Sequence, residues 1–276
     1  MRAFVPSHIT GFFAAKRDDD LMKAGSIGCG LTLDMGATTT VEKAYKTEIF
    51  LNGHLSEAPV SRYVVDKLAR SPVRVETQLD MPLGSGFGAS GGGALGCAYA
   101  LNSVFDLGML ANQVAAVAHA AEVVNKTGLG DVIAQNTGGL VVRLKPGAPC
   151  IGKIDRMPVP PLRIDYVVRG PISTRDVLSD PAAMKEINRA GETAVKELLQ
   201  RPTLKQFMKL SSRFTKQIDL GSPWVLDAIE AVESAGGLAS MIMLGDAVFS
   251  VGGAEALSEF GKVGRTTVSH RGANLD

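Results

Sequence analysis

Residues 82–96 read PLGSGFGASGGGALG. Seven of these residues are glycine, two are serine and none is lysine. Immediately upstream, VRVETQLDM at 73–81 puts Val73, Val75, Leu79 and Met81 on one face, the two-residue period of a half-buried strand. From Ala89 to Phe105 the spacing turns helical, so the glycine run is a loop that stops a strand and opens a helix.

Three nucleotide-loop types compete for such a run. Gly86-Phe-Gly88-Ala-Ser-Gly91 fits the G-x-G-x-x-G dinucleotide fingerprint, and Asp106 stands 20 residues after Gly86. That fingerprint needs a buried parallel strand before it and another strand after its helix. Here the preceding strand alternates, and a second helix (about 109–125) follows the first. A Walker loop needs G-K-[ST], and a protein-kinase loop needs a downstream V-A-I-K. Neither is present. What is left is a glycine loop feeding a helix N-terminus, where free amides and the helix dipole attract anions. The competing reading is a tight turn with small residues for packing. Gly91, Gly92, Gly93 and Gly96 inside a helix each cost up to ~1 kcal/mol relative to alanine, more than a plain corner needs.

The 276 residues suffice for one large domain or two small ones. Hydrophobic residues make up 45%, charged residues 21%, and the net charge is +1, with no basic run. This composition gives no reason to expect a nucleic-acid or membrane partner. The start, MRAFVPSHITGFFAAKRDDD, lacks signal-peptide form, and no segment has the length of an apolar membrane span. Cys29, Cys97 and Cys150 are few and far apart, and the four histidines lack metal-ligand spacing. A cytoplasmic, reduced protein is expected.

Elsewhere the chain reads as strand 38–51 closed by the hairpin signal Asn52-Gly53, a helix near 61–70 and a strand 139–144. KPGAPCIGKIDRMPVPP, 145–161, holds five prolines and is the best domain boundary. Beyond it come a strand (162–168), helices near 181–200, 203–217 and 223–235, and strands 238–244 and 247–251 around Gly245-Asp246. A short helix (253–260) and a strand (263–268) follow. Strands and helices mix without regular βαβ units, so both halves read as α+β.

Pro82-LGS-Gly86-Phe-Gly88-Ala-Ser90-Gly91 resembles the second motif of the GHMP kinases, P-x-x-x-G-L-G-S-S-A. Over most of its length the chain is similar to the archaeal pantoate kinase branch of that superfamily. The likeness is carried by Pro6-SHITGF-Phe13, Gly25-SIGC-Gly30, Glu122-VVNKTGLG-Asp131 and Met243-LGDAV-Phe249. It implies an α+β, two-domain GHMP kinase fold. Residues 1–150 would form an ATP-binding domain like domain 2 of ribosomal protein S5, and 151–276 a ferredoxin-like domain. It also implies an ATP- and Mg²⁺-dependent kinase acting on a small alcohol: (R)-pantoate, on the way to coenzyme A, or a substrate such as homoserine. A dinucleotide oxidoreductase and a non-catalytic metabolite sensor are the alternatives from other classes. A homodimer is the candidate assembly. Two motifs depart from the superfamily. Ser7 and His8 stand where a lysine or arginine usually follows Pro-Gly, and the third motif is Leu244-Gly245-Asp246 instead of a glycine run.

Under this resemblance Pro82, Gly84, Ser85, Gly86, Gly88, Ala89, Ser90, Gly91 and Gly92 hold ATP. Ser90 and Glu122 hold Mg²⁺. Asp131 receives the substrate hydroxyl proton or orients its oxygen, with His8 positioning it. Pantoate's carboxylate needs a cation, for which Arg143 is the candidate, while Ser26, His119 and Thr174 are candidate polar contacts. Each residue also has a plain structural alternative: a helix cap for Ser90, an i,i+4 partner of Lys126 for Glu122, a turn former for Asp131, a packed core residue for His119.

Overall fold

The computed structural model describes residues 1–172 and 181–276. Two long antiparallel strands, β1 (Arg2–Lys16) and β2 (Gly25–Lys43), form its spine. Pro6 in β1 cannot donate to the ladder, and the β1–β2 register shifts between Pro6 and Ser7. That bulge turns Ser7 and His8 into the interior, where both are fully buried. On one side β2 pairs with β5 (Val73–Leu79), which runs parallel to β3 (Glu48–Leu51). A hairpin at Asn52-Gly53 links β3 to β4 (His54–Leu55), as its turn chemistry predicts. The first sheet is completed by β6 (Leu140–Lys145) on β2, β7 (Lys153–Met157) on β6 and β12 (Asn274–Leu275) on β1.

Helices α1 (Pro59–Leu68), α2 (Ala89–Val104) and α3 (Ala111–Asn125) pack together over this sheet. The glycines of α2 let it approach β2 closely. A Cβ on Gly96 would stand 2.8 Å from Thr39 Oγ1, and one on Gly92 3.2 Å from Ala37 Cβ. The loop-or-packing question about the glycine run therefore has both answers. Gly84, Gly86 and Gly88 have positive φ in the loop, whereas Gly92 and Gly96 serve helix packing.

The second sheet has the order β11 (Gly264–Thr267), β8 (Arg163–Pro171), β10 (Gly245–Val251), β9 (Leu238–Met241). Its helices are α5 (Pro181–Gln200), α6 (Leu204–Gln217), α7 (Pro223–Ser234) and the short α8 (Ala254–Ser258). Of these, α5 and α6 also pack on β1, and rings of Phe12, Phe207 and Phe249 step from β1 through α6 to β10. One apolar core thus runs beneath both sheets.

Three expectations need correction. Asp131, whose plain alternative was a turn former, stands at the first position of the short helix α4 (Asp131–Thr137). The proline-rich segment is not all linker either. Its proline-free centre, Lys153–Met157, is strand β7, because the prolines that cannot join a ladder stand outside it. The hairpin before β10 also turns earlier than read, through Ile242–Leu244, with Leu244 in the left-handed region at φ 66°.

Candidate active site

The glycine loop lies between the two sheets and is tied to both. His8 N–H donates to Phe87 O (3.0 Å) from β1, and Ile172 N–H donates to Gly84 O (3.2 Å) just after β8. The Met243–Gly245 turn rests on the loop backbone, so that a Cβ on Gly86 would meet Met243 O at 2.5 Å. Direct backbone packing explains why the third motif needs no glycine run: a single glycine, Gly245, stands where a side chain would strike Ser85 O.

Beside the loop is a cleft of about 360 Å³. Gly84, Gly86, Gly88, Ala89 and Ser90 line it, together with Ser26, Asp131 and Arg143. Pro82, Ser85, Gly91 and Gly92, also expected to hold nucleotide, do not line it. Ser85 is buried, and Gly91 and Gly92 are taken up by helix packing. The N-terminus of α2 carries no capping side chain. Ser90, the natural candidate to cap it, donates instead to Glu122 Oε1 at 2.7 Å. Thr127 Oγ1 donates to the same oxygen at 2.6 Å. Glu122 is buried and forms no ion pair with Lys126. Burial, opposed by those two hydrogen bonds and reinforced by the Asp131 charge, pushes its pKa up to about 7.

Asp131 is 24% exposed, its carboxylate facing the cleft. His8 Nδ1 lies 2.7 Å from Asp131 Oδ1, and Arg143 Nη1 lies 3.5 Å from His8 Nε2. An arginine nitrogen only donates, so Nε2 accepts and the Nδ1–H points at Asp131. Burial holds the His8 pKa below its ordinary value, against the pull of Asp131. His8 thus orients Asp131 as a neutral imidazole, where the superfamily places a cation. Arg143 is 1% exposed, and its Nε has no hydrogen-bond partner among the described residues. Burial lowers its pKa as well. Ser26 Oγ, beside it, donates to Leu129 O at 3.3 Å.

His119 is the expectation that fails here. It stands one helical turn before Glu122 on α3, but its ring faces the β1–β2 connection. There Nε2 lies 2.9 Å from Ala24 O, and the side chain is buried away from the cleft. Thr174 lies outside the described residues. Sequence reasoning missed Thr127 and Gln135. Gln135 Nε2 donates to Gly88 O at 3.0 Å, tying the helix of Asp131 to the glycine loop. Reading 131–137 as a helix would have placed Gln135 one turn behind Asp131 on the same face.

The GHMP kinases N terminal domain family matches residues 55–139. The pantoate kinase of Thermococcus kodakarensis is 39% identical over 267 residues, covering 91% of this chain and 87% of that protein. The chain belongs to the pantoate kinase family. The pantoate kinase of Methanocaldococcus jannaschii is 33% identical, over 93% of this chain and 94% of its own. A solved structure described as a phosphotransferase related to the CoA biosynthesis pathway superposes with a TM-score of 0.90 at 32% identity. It covers 100% of this chain and 98% of its own. The α+β GHMP kinase architecture expected from the glycine motif is therefore the fold of this pantoate kinase family member, and the chain is a phosphotransferase.

Proposed function

We propose that the chain transfers the γ-phosphoryl group of ATP to (R)-pantoate, giving ADP and 4-phosphopantoate in the cytoplasm. The observation that carries the acceptor is Arg143: a buried guanidinium, one nitrogen unpartnered, at the wall of the cleft that also holds Ser26 and Asp131. A buried cation left unpaired is costly, and a bidentate carboxylate is its natural partner. With the acid anchored there, its far hydroxyl points toward Asp131. One carboxylate oxygen of Asp131 is occupied by His8, and the other is available to take the hydroxyl proton or orient the oxygen for in-line attack. The uncapped amides of α2 hold the phosphates. Asp131 acts where proton and nucleophile separate, and the glycine loop fixes the line of transfer.

Magnesium fits the pair Ser90 and Glu122. Both present hard oxygens, and Gly128 leaves open the space in front of Glu122 Oε2 that a side chain would fill. Among the described residues no group of three or more His, Cys, Asp or Glu could hold a metal alone, a sparse set typical of magnesium that arrives with phosphates. Magnesium there would neutralise charge on the phosphates.

ADP release should be measured across pantoate, pantothenate, homoserine, mevalonate and shikimate, for the parent chain and Arg143→Ala. Pantoate should be turned over best. Arg143→Ala should raise its KM by roughly ten- to hundredfold, the value of one charged hydrogen bond, with the ATP KM little changed. Homoserine or mevalonate preferred by about tenfold in kcat/KM would overturn the acceptor.

A further inference from the structure

Lys126 closes α3 in the left-handed region, with φ 56° and ψ 38°. Glycine is the usual residue at such a position, and a side chain there costs stability. The lysine is exposed and lines the cleft next to Thr127 and Gly128. Among the described residues its ammonium has no ion-pair or hydrogen-bond partner. A charged side chain held at an unfavourable backbone position on the rim of a binding cleft is the kind of strain that function sustains.

The cleft lining has a second cation, Arg143, and the two occupy different places. Arg143 is deep, beside Ser26 and joined to Asp131 through His8. Lys126 follows Glu122 by one turn of helix. Its neighbour Thr127 bonds the Glu122 oxygen that also receives Ser90 from the mouth of α2. The glycine loop has no lysine of its own. Phosphates seated on the α2 amides would therefore find in Lys126 the one cation of the cleft lining that has no side-chain partner among the described residues, Arg143 being engaged by His8.

We propose that Lys126 is the phosphate-binding cation of this site. Its ammonium donates to the terminal phosphoryl oxygens and neutralises charge on the group in transfer. It supplies from the end of α3 the lysine that other phosphate loops carry within themselves. No bond to the lysine forms or breaks, and its proton stays on nitrogen. The inference rests on the phosphoryl-transfer reading and adds a residue to it.

Lys126→Gly and Lys126→Asn remove the charge but suit the backbone, and Lys126→Arg keeps the charge. Three quantities decide: melting temperature, kcat, and the ratio of affinities for the non-hydrolysable triphosphate AMPPCP and for ADP, by calorimetry in magnesium buffer. Lys126→Gly should melt no lower than the parent and up to roughly 2 °C higher. Its kcat should fall roughly ten- to hundredfold, and its preference for AMPPCP over ADP roughly tenfold. Lys126→Arg should recover most of both losses. The proposal is overturned if Lys126→Gly keeps kcat and triphosphate preference within about twofold of the parent. It is equally overturned if the loss lies wholly in the KM of the acid. If the parent transfers phosphate to no acid, the acceptor reading has failed, and the AMPPCP–ADP comparison still decides the lysine.

Discussion

Glu122 shows how far a single side chain can be displaced from its ordinary chemistry. Burial lifts its pKa from 4.5 to about 7, more than the Ser90 and Thr127 hydrogen bonds pull it down. Between those values the folded chain binds a proton that the unfolded chain has released. Stability therefore falls as pH rises through that window, by up to about 3 kcal/mol once the carboxylate is ionised. Glu122→Gln keeps Oε1 as the acceptor for both hydroxyls and removes the titration. In chelator-treated, metal-free buffer the variant should melt above the parent at pH 8, and most of the gap should close at pH 5. A gap of equal size at both values would show that the folded state does not hold this carboxyl neutral. The same burial that makes the group costly when empty makes it a strong partner for a cation, which is the sense in which the residue was legible: a carboxylate among alanines and valines has to be matched. His119, one turn earlier, looks the same in sequence and is matched differently, by Ala24 O. A one-dimensional pattern places a side chain on a helix face but does not say which neighbour arrives there.

At the scale of elements, legibility followed exposure and length. The strand 73–79 was readable because it has one wet face, and α5, α6 and α7 because a single apolar stripe faces the core. β1 resists such reading. It packs against α2, α5 and α6, is buried at most positions, and two register shifts break its alternation. The seven-residue α4 is too short to show a period, which hid the place of Asp131 at its first turn and of Gln135 behind it. The Thr127–Gly130 connection between α3 and α4 carries two glycines that make room for different parts of the site. A Cβ on Gly128 would strike Glu122 Oε2, whereas one on Gly130 would strike Ser26 Oγ and crowd Arg143 Nε. Alanine at either position should cost roughly 1–3 kcal/mol by overpacking, measured by denaturant unfolding. The kinetic signatures should separate. Gly128→Ala should lower kcat and magnesium-dependent nucleotide binding, while Gly130→Ala should raise mainly the KM of the acid. Identical profiles for the two variants would mean that the connection acts as one unit.

For the whole molecule, the sequence placed a boundary by composition, and the chain pairs across it. The division we propose, 1–150 and 151–276, assigns β7 and β12 to the second unit although both strands pair in the first sheet. Prolines mark where the composition changes, not where hydrogen bonding ends. The cleft is consequently held from two sides: β1 supports the glycine loop from the first sheet, and the β9–β10 hairpin covers it from the second. Beside the backbone ladders of β10 with β8 and β9, the side chain of Asp246 pins the hairpin. Its carboxylate accepts from Ser222 Oγ at 2.7 Å, at the N-cap of α7, and pairs with Arg169 of β8 at 2.7 Å. Ser222 also accepts from Val225 N–H, so cap and clamp share one hydroxyl. Asp246 is 9% exposed and is not among the residues that line the cleft. Its removal therefore acts only through the position of Met243–Gly245 on the Ser85–Gly86 backbone. Asp246→Ala should destabilise the fold by roughly 1–3 kcal/mol through the lost charged hydrogen bonds. It should also raise the KM for ATP several-fold while leaving the KM for the acid nearly unchanged, because Arg143, Ser26 and Asp131 all stand on the first sheet or the helix beside it. Asp246→Asn, which retains an acceptor for Ser222 but not the ion pair, should fall between. Unchanged nucleotide kinetics in an unfolding-destabilised Asp246→Ala would show that the glycine loop keeps its shape without the hairpin, and that β1 and α4 alone set the phosphate cradle.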